Sequence, residues 1–338
     1  MGKRTMRHTL IIAEAGVNHN GDISIAKKLV DSAKEAGADI VKFQTFDVDS
    51  ITSKYAEMAQ YQKRNIGQTK SQKEMLSELT LTHDEFVELS TYCKKKEIKF
   101  LSTPFDLPSI DFLSSLGCDL WKIPSGEITN FPYLVKIANT NQDVILSTGM
   151  STLIEVESAV KVLSEEGAGK ITLLHCTTQY PTPYDSVNLN AMKTLKEKTG
   201  LDVGYSDHTN GIEISVAAVA MGAVIIEKHF TLDRNMRGPD HKASLEPEEL
   251  KQMVQSIRHV ESAFGTGEKA PVAAERENMN IARKSIVAKR FIGKGEAFSE
   301  ENITTKRPGS GVSPMLWKSV LGTKAIRDFG EDELIEIK

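Results

Sequence analysis

Three histidines, three glutamates, three lysines and a series of hydroxyl side chains recur in one kind of place along this chain, at or just past the end of a short apolar run. In order they are Glu14 and Asn18; Lys42 and Gln44; Ser102 and Thr103; Lys122, Ser125 and Glu127; Ser147 and Thr148; His175, Thr177 and Thr178; Ser206 and His208; then Glu227, Lys228 and His229. Two imidazoles, His208 and His229, beside carboxylates could hold a divalent cation that keeps open positions for water or substrate. Lys42 and Lys122, with the hydroxyls of Thr103, Ser125, Ser147 and Ser206, suit a small phosphorylated carboxylate, which needs charge pairing and several donors. Either lysine could instead form a Schiff base with a carbonyl substrate. Glu14, Glu127 and Glu227 are candidates for proton transfer, or for orienting the lysines. The bland alternatives are real: serine and threonine after a strand often cap the next helix. A lysine at a buried strand end is harder to dismiss, because an unpaired ammonium is costly to bury.

The elements that must position these residues follow from periodicity. Short β-like runs at 10–13, 40–43, 100–101, 120–123, 144–146, 171–174, 203–205 and 224–226 alternate with helical segments at 24–37, 83–97, 108–116, 131–140, 152–167, 189–199, 211–221 and 246–264. Gly37, Gly117, Gly167 and Gly222 stand where helices should stop, and Thr82 precedes Glu85 in capping-box spacing. Eight such units predict an α/β fold, a (β/α)8 TIM barrel over residues 1–265, whose strand C-termini open on one mouth where active sites lie. An open doubly wound sheet is the alternative architecture, though no GxGxxG follows the first run. Capping accounts for one polar strand end; eight in succession point to a site. Residues 266–283 read as a polar linker with some helical character, and 284–338 as a small β-rich domain with Gly-rich turns. The segment 52–74 interrupts the alternation and reads as a lid or binding loop. The turn Tyr180-Pro181-Thr182-Pro183 could hold Tyr180 over a sugar or simply pack a loop.

The 338 residues are 40% hydrophobic and 26% charged, with a net charge of −4, so no basic surface for nucleic acid or membrane is indicated. The apolar run behind the basic start is too short for a secretory leader, and no stretch nears the ~20 apolar residues of a membrane span. Cys93, Cys118 and Cys176 are an odd count without CxxC spacing, which predicts neither disulfides nor a zinc knuckle and fits a cytoplasmic protein.

The stretches IIAEAGVNHNGD (11–22), VKFQTF (41–46), LSTPFD (101–106), WKIPSGEITN (121–130), LHCTTQYPTPY (174–184), GYSDHT (204–209), EKHFTLDRNMRGPDH (227–241) and TTKRPGSGVSP (304–314) together resemble the sialic acid, or nonulosonate, synthases. That resemblance implies a barrel followed by an antifreeze-like (SAF) domain, in a domain-swapped homodimer. It implies a transferase in which C3 of phosphoenolpyruvate attacks the aldehyde of an open-chain N-acyl hexose, water adds at C2 and phosphate leaves by C–O cleavage. His208 and His229 resemble ligands of a divalent metal, manganese foremost, with magnesium or cobalt able to replace it. Lys42, Thr103, Lys122, Ser125, Ser147 and Ser206 resemble the phosphoenolpyruvate contacts. Glu14, Gln44, Tyr180 and Asp240 match positions near the sugar, Glu127 a proton-transfer group, and Arg307 an arginine reaching the partner's sugar. Thr178 stands where some N-acetylneuraminate synthases carry asparagine and where diacetyllegionaminate synthases can carry threonine. The sugar expected is N-acetylmannosamine, giving N-acetylneuraminate, with 2,4-diacetamido-2,4,6-trideoxymannose as the alternative. A Schiff-base aldolase, and a binding-only role resting on the small domain, are the readings from other classes.

Overall fold

The computed structural model describes residues 8–51 and 71–337. The chain divides into two compact units between Phe264 and Gly265. Among the described residues the first holds eight strands: β1 (Leu10–Gly16), β2 (Ile40–Thr45), β3 (Lys99–Pro104), β4 (Leu120–Ile123), β5 (Asp143–Ser147), β6 (Ile171–Cys176), β7 (Asp202–Asp207) and β8 (Ile225–His229). They hydrogen-bond in the order β3-β2-β1-β8-β7-β6-β5-β4, and every pairing is parallel. β3 and β4 lie side by side and close the sheet into a TIM-like barrel.

Most strands run further than their apolar stretches predict. Glu14 pairs opposite both Lys42 and His229, and Cys176 opposite Ser206, so these polar groups complete the ladder instead of starting the loops. A polar side chain ends the sequence signal for a strand without ending its backbone pairing.

Alternation along each strand then decides what faces inward. Ile12, Ile40, Leu101, Ile145, Leu174 and Ile225 meet as an apolar plug inside the barrel. Two residues further along the same six strands come Glu14, Lys42, Thr103, Ser147, Cys176 and Glu227. On β7 the plug position is Gly204, where a Cβ would sit 2.4 Å from the Ile225 carbonyl and 2.7 Å from Leu174, so only glycine lets these strands pack. Residues of the other parity, such as Ile11, Val41, Phe43, Trp121 and Ile226, join the helices in the larger outer core.

The helices predicted from periodicity are present, for example Ile23–Ala36, His83–Lys95, Leu153–Glu165 and Pro247–Ala263. Gly37 ends the first of them at φ 84°, a left-handed conformation that costs glycine least, and Thr82 and Glu85 form the expected reciprocal cap. A short helix, Gln72–Ser77, capped by Ser71 and Glu74, falls at the end of the segment read as a loop. The rest of that segment, with Tyr61-Gln62-Lys63-Arg64-Asn65, lies outside the described residues.

In the second unit, a helix at Ala273–Ala282 occupies the stretch read as a linker. β9 (Ser285–Ala288) and β10 (Ile303–Lys306) pair antiparallel. Leu334 contributes a single antiparallel bridge to Val287. Ile286, Ile292, Phe298, Ile303, Phe329 and Ile335 form this unit's own core. Among the described residues no helix is long and apolar enough to cross a membrane. The three cysteines are free.

Candidate active site

Above the plug, the inward-facing side chains enclose one polar chamber. Lys42 Nζ lies 2.7 Å from Glu14 Oε2 and donates to Thr103 Oγ1 at 2.9 Å, with Glu227 Oε2 at 3.6 Å. Lys122 Nζ donates to Ser147 Oγ at 2.7 Å, with Glu227 Oε1 at 3.6 Å. Glu227 accepts from Ser206 Oγ at 2.8 Å, and Gln44 donates to Glu14 at 3.1 Å. Glu227 is thus the hub between two lysines from different strands. Ser125 faces Cys176 Sγ at 3.2 Å and accepts from the Gly149 amide at 2.9 Å. A Cβ on Gly149 would come within 2.5 Å of Thr178 Oγ1, so this wall needs bare backbone.

These groups are buried and do not titrate alike. Burial pushes the Glu227 carboxyl up, but Lys122, Lys42 and the Ser206 hydrogen bond outweigh it and bring its pKa to about 2. Glu14 moves the other way, raised by burial and by the charge of Glu227 although Lys42 opposes the shift. Two carboxylates share one ammonium, and the one that also sees Lys122 keeps its charge. Burial pulls Lys42 down, yet Glu14 and Glu227 more than offset this and hold it above its ordinary pKa. Burial lowers the pKa of Lys122, and Glu227, no nearer than 3.6 Å, does not offset it.

On the far side His208 and His229 stand 5.6 Å apart between ring centroids, with the Tyr180 ring tilted over His208 at 4.3 Å. His208 Nδ1 donates to the Thr177 carbonyl at 2.7 Å, which leaves a lone pair on Nε2. Burial depresses both pKa values, most strongly that of His229, where His208 and Lys42 add to the effect. Neutral imidazoles, one oriented by a backbone carbonyl, are what a metal ligand requires. His229 Nδ1 is buried without a hydrogen-bond partner. Among the described residues no third His, Cys, Asp or Glu completes a cluster, so a cation held here would take further ligands from substrate or water.

Asp240 lies beyond, in an adjoining chamber that shares Gln44, Phe105, Tyr180 and His229 with the first. Burial and the charge of Glu14 push its carboxyl up to about 7.

The NeuB family model matches residues 29–269, and the SAF domain model residues 283–337. The chain belongs to the NeuB family. The N,N'-diacetyllegionaminic acid synthase of Campylobacter jejuni is 56% identical over 98% of this chain and 99% of its own length. The Legionella pneumophila protein of the same name is 48% identical over 93% and 89%. Among solved structures, the N-acetylneuraminic acid synthetase of Leptospira borgpetersenii, crystallised with citrate, aligns with a TM-score of 0.70 at 36% identity. It covers 80% of this chain and 90% of its own.

Of the residues singled out in the sequence of this family member, Glu14, Lys42, Gln44, Thr103, Lys122, Ser125, Ser147, Thr178, Tyr180, Ser206, His208 and His229 line the first chamber. Asp240 lines the second. Glu127 is not brought to either. β4 ends at Ile123, and the turn Ser125–Glu127 carries Glu127 aside, where its carboxylate accepts from Asn130 Nδ2 at 2.5 Å. Arg307 lies in the second unit, exposed, its Nε donating to the Ala282 carbonyl at 3.1 Å. His175 faces away from the chamber and bonds the Val187 carbonyl, and Cys176 takes the inward position. The sequence reading missed Cys176, Phe105 and Met150, and gave Glu227 no more weight than its neighbours. Counting by twos from the plug residues singles out Cys176 and Glu227; Phe105 and Met150 lie past strand ends, where no period applies.

Proposed function

We propose that this protein is an N,N'-diacetyllegionaminate synthase, condensing phosphoenolpyruvate with 2,4-diacetamido-2,4,6-trideoxymannose and water to give the nine-carbon sugar acid and phosphate. The observation that carries this reading is 56% identity, end to end, to a protein of that activity. It moves the acceptor away from N-acetylmannosamine, the sugar first expected from the resemblance.

The chamber supports the chemistry. Lys42 and Lys122 bind the phosphate and carboxylate of phosphoenolpyruvate, aided by Ser125, Ser147 and Ser206. A C–C bond forms between C3 of phosphoenolpyruvate and the acceptor aldehyde carbon, and the positive charge developing at C2 lies beside ionised Glu227. The aldehyde oxygen takes up a proton as it becomes a hydroxyl. Water adds at C2 and gives one proton to a carboxylate, and collapse to the C2 ketone breaks the C2–O bond, with phosphate taking the remaining hydroxyl proton. Glu14, whose pKa burial raises above the ordinary carboxylate value, is the candidate for that transfer from water. His208 and His229 would hold a divalent cation, manganese in the first instance, which when bound supplies Lewis-acid polarisation of the aldehyde oxygen. Arg307 gains a role if the protein works as a homodimer in which each small unit serves the partner's mouth.

Phosphate release from phosphoenolpyruvate tests the reading, with the diacetamido sugar and N-acetylmannosamine as rival acceptors. The diacetamido sugar should give the higher kcat/KM. Comparable or better turnover of N-acetylmannosamine would return the protein to N-acetylneuraminate synthesis.

A further inference from the structure

The adjoining chamber differs from the first in kind. Its outer wall is Val17, Phe46, Met75, Leu76, Leu79 and Phe105, with Gln72 the polar exception beyond the residues shared with the first chamber and Asp240. Val17, Met75 and Leu79 are buried and pack on one another with Phe46 and Leu76 against them, and Phe46 meets Phe105 edge-on at 6.4 Å. The lysines occupy the opposite end, so an acceptor that presents its aldehyde near His208 and His229 extends its remote carbons towards this wall. A sugar ending in a hydroxymethyl group would bury a hydroxyl against carbon there; one ending in a methyl would not.

We propose that this wall selects the 6-deoxy end of the acceptor, with Val17, Met75 and Leu79 as specificity-determining residues. The inference rests on the acceptor proposed above and adds the element that recognises it. An apolar surface discriminates against one added hydroxyl by about 100-fold in kcat/KM, not by more, because nothing in it repels the hydroxyl beyond leaving it unbonded.

The test compares 2,4-diacetamido-2,4,6-trideoxymannose with 2,4-diacetamido-2,4-dideoxymannose, which differ only by the C6 hydroxyl. N-acetylmannosamine serves as a third acceptor. Wild-type protein should prefer the 6-deoxy sugar by about 100-fold. Met75→Gln and the near-isosteric Val17→Thr should each cut that preference about tenfold, leaving the KM for phosphoenolpyruvate unchanged. If Met75→Gln fails to fold, Val17→Thr and the wild-type pair still decide the matter. Equal kcat/KM for the paired sugars, or a preference that both folded variants leave intact, overturns the role of the wall while the acceptor assignment stands. Better turnover of N-acetylmannosamine than of either diacetamido sugar overturns the acceptor assignment itself.

Discussion

Two lysine–carboxylate clusters meet at β8 of this barrel, one facing out and one facing in, and they differ in how completely they are satisfied. Lys228 and Asp207 face outward, both side chains 0% exposed, and bond at 2.9 Å. Lys228 also donates to the Thr209 carbonyl, and Asp207 accepts from the Thr209 amide, the Thr209 hydroxyl and Ser215. Glu227, next to Lys228 on β8, belongs to the inward cluster, which leaves Lys122 of β4 3.6 Å from its nearest carboxylate and Glu227 Oε2 without a hydrogen bond. Buried charge alone therefore does not mark a site. The outward cluster is a closed network that fixes how β7 and β8 meet the helices. The inward one retains donors and charge for a ligand to complete.

The widest separation between the two clusters should appear in turnover. Chelation should abolish phosphate release, and manganese should restore it, because His208 and His229 belong to the inward set; melting in chelator should shift little. Full activity in metal-free protein would remove the cation from the scheme and bring back the Schiff-base reading, with Lys122 the lysine to trap by borohydride. The outward cluster should respond in stability instead. Asp207→Asn strands a buried ammonium, at a cost of about 3–5 kcal/mol in urea unfolding. Adding Lys228→Met should recover most of that loss, since a well-packed apolar replacement for an ion pair is near neutral. A single variant as stable as wild type would mean that the outward pair does little structural work.

Lys122→Ala sharpens the contrast at a smaller scale. It removes a charge-assisted contact to an anion and should weaken phosphoenolpyruvate by about 1.5–3 kcal/mol, one to two decades in affinity, with little effect on unfolding. A raised KM for the sugar with phosphoenolpyruvate unchanged would assign this wall to the wrong substrate. Mixed with an Arg307→Ala chain under subunit exchange, the Lys122→Ala chain should regain activity if the small unit serves its partner. If exchange is shown and the mixture stays as inactive as its parents, Arg307 has no role across a dimer.

The barrel and most of the chamber are legible in the sequence because both obey a period of two. Most apolar runs end on a plug residue or its neighbour, and in every case the functional residue stands two past the plug residue, as Glu14, Lys42, Thr103 and Ser147 do. Legibility fails where period gives way to turn geometry. Glu127 follows Ser125 by two, yet the chain has left β4 by then and the turn carries it aside. His175 looks like a strand-end ligand by type, and only the phase set by Leu174 assigns the mouth to Cys176. The apolar wall escapes notice for another reason. Val17 lies far in the chain from Met75 and Leu79, and all three look like ordinary core until the short helix and the turn after it set them beside Asp240.

His19 qualifies the rule that an unsatisfied buried group marks function. Its Nδ1 accepts from the Gly21 amide at 3.1 Å, so the proton sits on Nε2, which is buried without a hydrogen-bond partner. Yet His19 lines neither chamber, and it packs against Phe43 with ring centroids 6.1 Å apart. Burial lowers its pKa from 6.5 to about 4. The unfolded chain therefore binds more protons than the native one between those values, and stability must fall as pH drops through that window. Above pH 6.5 the contribution is fully present; below 4 the loss is complete. At pH 5.5 the deficit relative to pH 7.5 is about 1.4 kcal/mol from this residue. His19→Asn keeps an acceptor for the Gly21 amide and removes the titrating group, so its urea unfolding free energy should decline less over the same interval. Activity per folded molecule should be unchanged by that substitution. An acid-sensitivity identical to wild type would shift the effect to other buried histidines, of which His241, also lowered to about 4, is the next to replace. A drop in turnover without a drop in stability would make His19 part of the site, and the distinction between the two kinds of unsatisfied group would have to be redrawn.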